Sequence, residues 1–225
     1  MSGGHVIAIV GAESTGKSTL AVELAARIAD STGLACTAIG EHLREWCERA
    51  GRTPRADEQR AIASEQLRRI DAAAASHDIV IADTTPLMTA VYSQMLFGDR
   101  SLEPLAVAAQ RRVALTLLTA LDLPWVADGL QRDGEHVREP VDRALRELLT
   151  AHGLPWSVIA GHGPARLERA LDAASPLLAR RAPAHAGLFT RLAEREAAMP
   201  VWRWVCETCD VPDCEHAALR LARGG

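Results

Sequence analysis

The residues best placed to do chemistry form one run, Gly11-Ala12-Glu13-Ser14-Thr15-Gly16-Lys17-Ser18, which satisfies the pattern G-x-x-x-x-G-K-[ST] at every fixed position. Gly11 and Gly16 let backbone N–H groups turn inward onto an anion with no Cβ in the way. A helix starting behind the loop adds unsatisfied donors and the positive end of a dipole. Lys17 is long enough to reach β- and γ-phosphates, and the Ser18 hydroxyl is a ligand for Mg²⁺. The run therefore predicts a nucleoside triphosphate site built from Gly11, Glu13, Ser14, Thr15, Gly16, Lys17, Ser18 and Thr19.

Three further groups are candidates. Asp83 closes the apolar run Asp78-Ile79-Val80-Ile81-Ala82-Asp83. An acid at such a strand end can hold Mg²⁺ through water or accept a proton from an attacking hydroxyl. The competing role is helix capping, since Asp83-Thr84-Thr85-Pro86 is also good N-cap sequence. The polar, glycine-punctuated stretch 122–138 follows a strand end and carries Arg132 and Arg138, the profile of a lid whose guanidinium groups meet charge on transferred oxygens. Surface ion pairs with Asp133, Glu135 or Glu139 are the alternative. Near the C-terminus, Cys206, Cys209, Cys214 and His216 offer three thiolates and one imidazole. Four such ligands suit a closed, structural Zn²⁺ site with no open catalytic position. An unliganded thiol cluster is the alternative.

These groups need a scaffold that brings strand ends together. His5-Val6-Ile7-Ala8-Ile9-Val10 is short, apolar and β-branched, so it predicts a buried strand before the glycine loop. Ser18 to Asp30 predicts a helix with Leu20, Leu24 and Ile28 on one face, and Gly33 suits its C-terminus. Further strands are expected at 34–39, 78–83, 113–118 and 155–160. Helices are expected at 55–76, 86–97, 102–111, 139–152 and 164–180, with Tyr92 packing into the core. This alternation predicts a phosphate-loop α/β fold: a five-stranded parallel sheet covered by helices on both faces. In such sheets ligands sit beyond the carboxyl ends of the strands, where Glu41 and Arg44 also fall. Residues 1–181 are expected to form this domain. Residues 182–225 form a helical tail carrying the Cys/His cluster.

Composition narrows the class. A net charge of −4 argues against a nucleic-acid-binding protein. The most apolar stretch, Val113 to Ala127, is interrupted by Asp122 and Pro124 and is too short to span a bilayer. The first strand begins at once, with no signal-peptide pattern, and the cysteine usage does not suggest a disulfide framework. The expectation is a soluble, cytoplasmic protein of undetermined oligomeric state.

Taken together, the pieces resemble the nicotinamide riboside kinase domain of the NadR type and related AAA-like phosphate-loop ATPases. The resemblance rests on the loop through Thr19, on Glu41 with Arg44, on Ile81-Ala82-Asp83-Thr84, and on Pro124-Trp125-Val126-Ala127-Asp128-Gly129-Leu130. It covers roughly residues 5 to 175. It implies transfer of the ATP γ-phosphate to the 5′-hydroxyl of nicotinamide riboside. Lys17 and Ser18 would hold the triphosphate and Mg²⁺, and Asp83 would bind the ribosyl group or act as base. Glu41, Arg44, Trp46, Trp125 and Asp128 would form the acceptor pocket, with Asp128, Arg132 and Arg138 in the lid. The chain departs from the family at Gln131, where an arginine is usual, and at Gly40, where an aromatic is common and Trp46 is the nearest replacement. It also has Thr85 in place of a second acid. A small-molecule kinase with no nucleic-acid or membrane partner is the leading expectation. A nucleotide-dependent switch acting through the cysteine-rich tail is the alternative.

Overall fold

The computed structural model describes residues 3–126 and 134–179. The chain separates into two compact units, residues 1–187 and 188–225, and the described residues all lie in the first. The expected zinc ligands Cys206, Cys209, Cys214 and His216, and the expected lid residues Asp128 and Arg132, lie outside the described residues.

Five strands form one parallel sheet: β1 (His5–Val10), β2 (Cys36–Ile39), β3 (Ile79–Asp83), β4 (Leu115–Thr119) and β5 (Ser157–Ile159), in the order β2-β3-β1-β4-β5. Every residue of β3 is buried, as is Ile7 to Val10 of β1, because both faces of the sheet are covered. Seven α-helices are described: α1 (Lys17–Thr32), α2 (His42–Ala50), α3 (Gln59–Ala74), α4 (Pro86–Phe97), α5 (Glu103–Gln110), α6 (Arg138–Ala151) and α7 (Gly163–Leu178). Helix α1 covers one face, where it packs on α7. Helices α3, α4, α5 and α6 cover the other. There α4 is buried from Pro86 to Val91, and Tyr92 packs against the core cluster around Leu87, Met88, Leu145 and Leu149.

Several boundaries differ from expectation, and each has a local reason. The helix expected from Arg55 begins at Gln59, because Ala56–Glu58 is a 3₁₀ turn in which the Glu58 carboxylate turns back to the Arg55 N–H at 2.8 Å. Strand β4 begins two residues later and ends one residue later than expected, and so includes Thr119, whose side chain reaches the phosphate loop. Helix α2 had no counterpart among the expected elements. It carries a strip of charge outside and buries only His42 and Cys47.

Candidate active site

In the order β2-β3-β1-β4-β5 the connections run to opposite sides of β1, so the crevice at the carboxyl end of β1 lies at the switch point of the sheet. Register puts Ile9 of β1 beside Asp83 of β3, and Val10 beside Leu118 of β4. The phosphate loop thus leaves β1 between the ends of β3 and β4.

The loop is held from inside and behind. Lys17 Nζ donates to the Ala12 carbonyl at 2.8 Å, and the Thr15 hydroxyl donates to the same oxygen at 2.8 Å. The Thr15 and Thr119 hydroxyls lie 2.7 Å apart, both fully buried. Two glycines are required here, Gly11 by space and Gly16 by its positive φ. A Cβ on Gly11 would run into the Thr119 hydroxyl, and one on Gly16 would lie 2.9 Å from Leu123 Cδ1. Gly16 takes φ 73° as it caps α1. Two non-glycine residues also have positive φ, Ser14 at 56° and Thr84 at 70°. Among the described residues these are the only two, and both border the crevice. Such strain persists where surrounding bonds enforce it. The Ser14 hydroxyl accepts from Val126 N at 2.9 Å and donates to Val126 O at 3.0 Å, and Thr84 N donates to Ile9 O at 3.0 Å.

Charge converges on Lys17. Burial pushes its ammonium below the ordinary lysine range. Glu41, Asp83 and Glu13 push back, and the positive charge of Arg44 adds to the lowering. The fold therefore gathers the sequence candidates Glu13, Lys17, Glu41, Arg44 and Asp83 into one electrostatic unit. Asp83 is 4 % exposed, and its Oδ1 has no hydrogen-bond partner among the described residues. Capping of α4 falls instead to Thr85, whose hydroxyl accepts from Leu87 N at 3.3 Å. The carboxylate of Asp83 is thus not occupied as a cap. Ser18 stands in the first turn of α1, and Thr19 beside it is exposed. A loop with glycine at Gly11 and Gly16, a lysine, a hydroxyl and a buried carboxylate unpartnered at Oδ1 are a donor set that fits a Mg²⁺-bound triphosphate.

The other candidates are placed as follows. Glu41 caps α2 by position, and Arg44 Nη2 lies 3.8 Å from its Oε2. One face of the Trp46 ring is covered by the Arg52 guanidinium at 5.0 Å. Trp125 is half-buried, and its Nε1 has no hydrogen-bond partner among the described residues. Arg138, the first residue of α6, is 5 % exposed and donates from Nη2 to the Leu123 carbonyl at 2.8 Å. That bond ties Arg138 to the segment leaving β4, within the structured base of the predicted lid.

Three polar residues at this edge were not singled out from sequence. Gln66 of α3 accepts from His42 N at 2.7 Å and donates to Gly40 O at 3.3 Å and Thr84 O at 3.4 Å, so it braces the ends of β2 and β3. Thr119 braces the phosphate loop. Arg166 of α7 reaches both the phosphate loop and Asp122. In sequence each is an ordinary polar residue on a helix or strand, and only its position marks it.

An AAA domain family model matches residues 6–166. The chain belongs to this AAA domain family. No curated protein sequence matches it. Among solved structures, a NadR protein in complex with NR superposes with a TM-score of 0.62 at 23% identity, covering 77% of this chain and 50% of that one. A NadR protein in complex with NAD and AMP-PNP gives 0.61 at 22% identity, covering 78% and 50%. A thymidylate kinase from Ehrlichia chaffeensis gives 0.53 at 16% identity, covering 78% and 99%. The AAA-family chain thus spans about half the length of the NadR chains it matches, and shares with all three a phosphate-loop kinase fold. Among the described residues no helix is long and apolar enough to cross a membrane, and no three His, Cys, Asp or Glu side chains gather as a metal site.

Proposed function

We propose that this protein is an ATP-dependent kinase of a small nucleoside-like metabolite, with nicotinamide riboside the leading acceptor. The observation that carries the reading is the buried carboxylate of Asp83, unpartnered at Oδ1, at the strand end that faces Lys17 and the phosphate loop. The names of the solved neighbours, a NadR protein with NR and a thymidylate kinase, support the same class of reaction.

The amides of the loop and the Lys17 ammonium grip the β- and γ-phosphates. Asp83 takes the proton from the acceptor hydroxyl as that oxygen bonds to the γ-phosphorus. The bond from the γ-phosphorus to the bridging oxygen breaks, and ADP leaves with that electron pair. Mg²⁺, held by the Ser18 hydroxyl, would neutralise phosphate charge. On this reading Glu41, Arg44, Trp46 and Trp125 line the acceptor side, and Arg138 meets the charge on the transferred oxygens.

The test is a panel of ribosides, nicotinamide riboside included, incubated with Mg²⁺-ATP and analysed by mass spectrometry. One riboside should gain a single phosphate, at a rate that Lys17→Ala abolishes. ATP binding with no phosphorylated product from any riboside would refute the kinase reading.

A further inference from the structure

Three loops at the carboxyl edge of the sheet meet at one buried guanidinium. Arg166 lies in the first turn of α7 and is 4 % exposed. Its Nη2 donates to the Thr15 carbonyl of the phosphate loop at 2.8 Å. Its Nη1 donates to Asp122 Oδ1, just after β4, at 2.9 Å and to Gly161 O, just after β5, at 2.8 Å. The other carboxylate oxygen of Asp122 accepts from the Gly161 N–H. Burial works to raise the Asp122 carboxyl, but the Gly161 amide and the Arg166 guanidinium prevail and hold it below the ordinary aspartate range. It is therefore a charged partner at neutral pH.

The direction of the Thr15 bond has a chemical consequence. In a trans peptide the carbonyl and the following N–H point to opposite sides. With Thr15 O drawn back onto Arg166, the Gly16 N–H is turned forward, toward the concave side of the loop. That amide sits at the positive end of α1, one residue before Lys17. A buried guanidinium is costly, and here Nε has no partner among the described residues, so a rigid fork binding two carbonyls and a carboxylate is better suited to fixing geometry than to adding stability.

We infer that Arg166 is a positioning residue for nucleotide binding: it holds the Thr15 peptide from behind so that the Gly16 amide faces the phosphates. Asp122 in turn fixes the fork. This rests on the loop binding a nucleotide, and is independent of which acceptor is phosphorylated.

The test uses the full chain with Arg166→Met, Arg166→Lys and Asp122→Asn. Melting curves are recorded, and binding of Mg²⁺-AMP-PNP is measured by calorimetry well below each melting point. Arg166→Met should bind about tenfold or more weakly while folded. Arg166→Lys, which keeps the charge but lacks the fork, should fall between it and wild type. Asp122→Asn keeps the Thr15 bond and should lose no more than about threefold. A folded Arg166→Met that melts lower yet binds with wild-type affinity would reduce Arg166 to a structural brace and overturn the inference. If Arg166→Met does not fold, wild-type affinity in Arg166→Lys overturns it equally. A wild-type chain that fails to bind AMP-PNP would instead remove the nucleotide reading itself, and the inference with it.

Discussion

The hydroxyls of Thr15 and Thr119, 104 residues apart in the chain, lie 2.7 Å from each other at the floor of the phosphate loop. Thr119 also donates to Val10 O at 3.3 Å, so it ties the last residue of β1 to the middle of the loop. Thr119→Val keeps the shape and removes both bonds, which should cost about 1–2 kcal/mol in chemical denaturation. Nucleotide affinity should fall severalfold, because the loop loses the contact that sets its curvature.

Gly11 lies against the same hydroxyl. Gly11→Ala drives a methyl group into Thr119 at a φ of 151°, where a side chain is strained. Overpacking of this kind costs about 1–3 kcal/mol. Adding Thr119→Ala should recover part of that loss, so the double mutant should be more stable than the sum of the single effects. Urea denaturation of the four proteins measures the coupling.

Asp83 is buried, and its Oδ1 has no partner among the described residues. Asp83→Asn should lower the melting temperature, since the Asp83 carboxylate offsets the burial of the Lys17 ammonium. The same change should lower turnover by about a hundredfold or more. Binding of an ATP analogue should change by only a few-fold. Differential scanning fluorimetry and a coupled ADP assay separate the two effects.

Gln66 braces three backbone groups at once, and Leu cannot replace any of them. Gln66→Leu should destabilise the chain by about 2 kcal/mol, because buried donors and acceptors at Gly40, His42 and Thr84 lose their partner. KM for the acceptor should rise more than KM for ATP, since the brace lies behind Glu41 and Asp83 and not behind Lys17. Steady-state kinetics in both substrates would show the split.

Acid should act on the 3₁₀ turn that precedes α3 only at low pH. The Glu58 carboxyl is held down to about 2 by the Arg52 guanidinium and then by the Arg55 N–H. Its folded pKa is below the ordinary glutamate value of 4.5, so its stabilisation is complete above that pH and disappears as pH falls toward 2. Glu58→Gln should therefore melt below wild type at neutral pH, and the difference should vanish by about pH 2. A thermal scan across that range checks the sign.

Much of this arrangement is legible along the chain because its signals are local. The glycine spacing of the phosphate loop, the β-branched run of β1 and the acid closing β3 each sit within a few residues, and the structure places them together at the sheet edge. Helix α2 escaped that reading although Leu43, Trp46, Cys47 and Ala50 stand at helical spacing, because the stripe is only nine residues long and is interleaved with charged residues. Thr119, Gln66 and Arg166 escaped because their partners are backbone carbonyls and hydroxyls of distant loops. No spacing rule records a bond between positions 15 and 166.

By itself, the order of residues determined that a glycine-lined anion site follows a buried strand in a parallel α/β domain, since backbone freedom and hydrophobic periodicity are properties of neighbouring residues. Only the folded chain decided which side chains stand behind that site. The Thr15 carbonyl is held by a guanidinium 151 residues further along, and Asp83 Oδ1 is buried without a partner only because of how β3 packs between its neighbours. Those are questions of distance and burial in space, and a linear sequence carries neither.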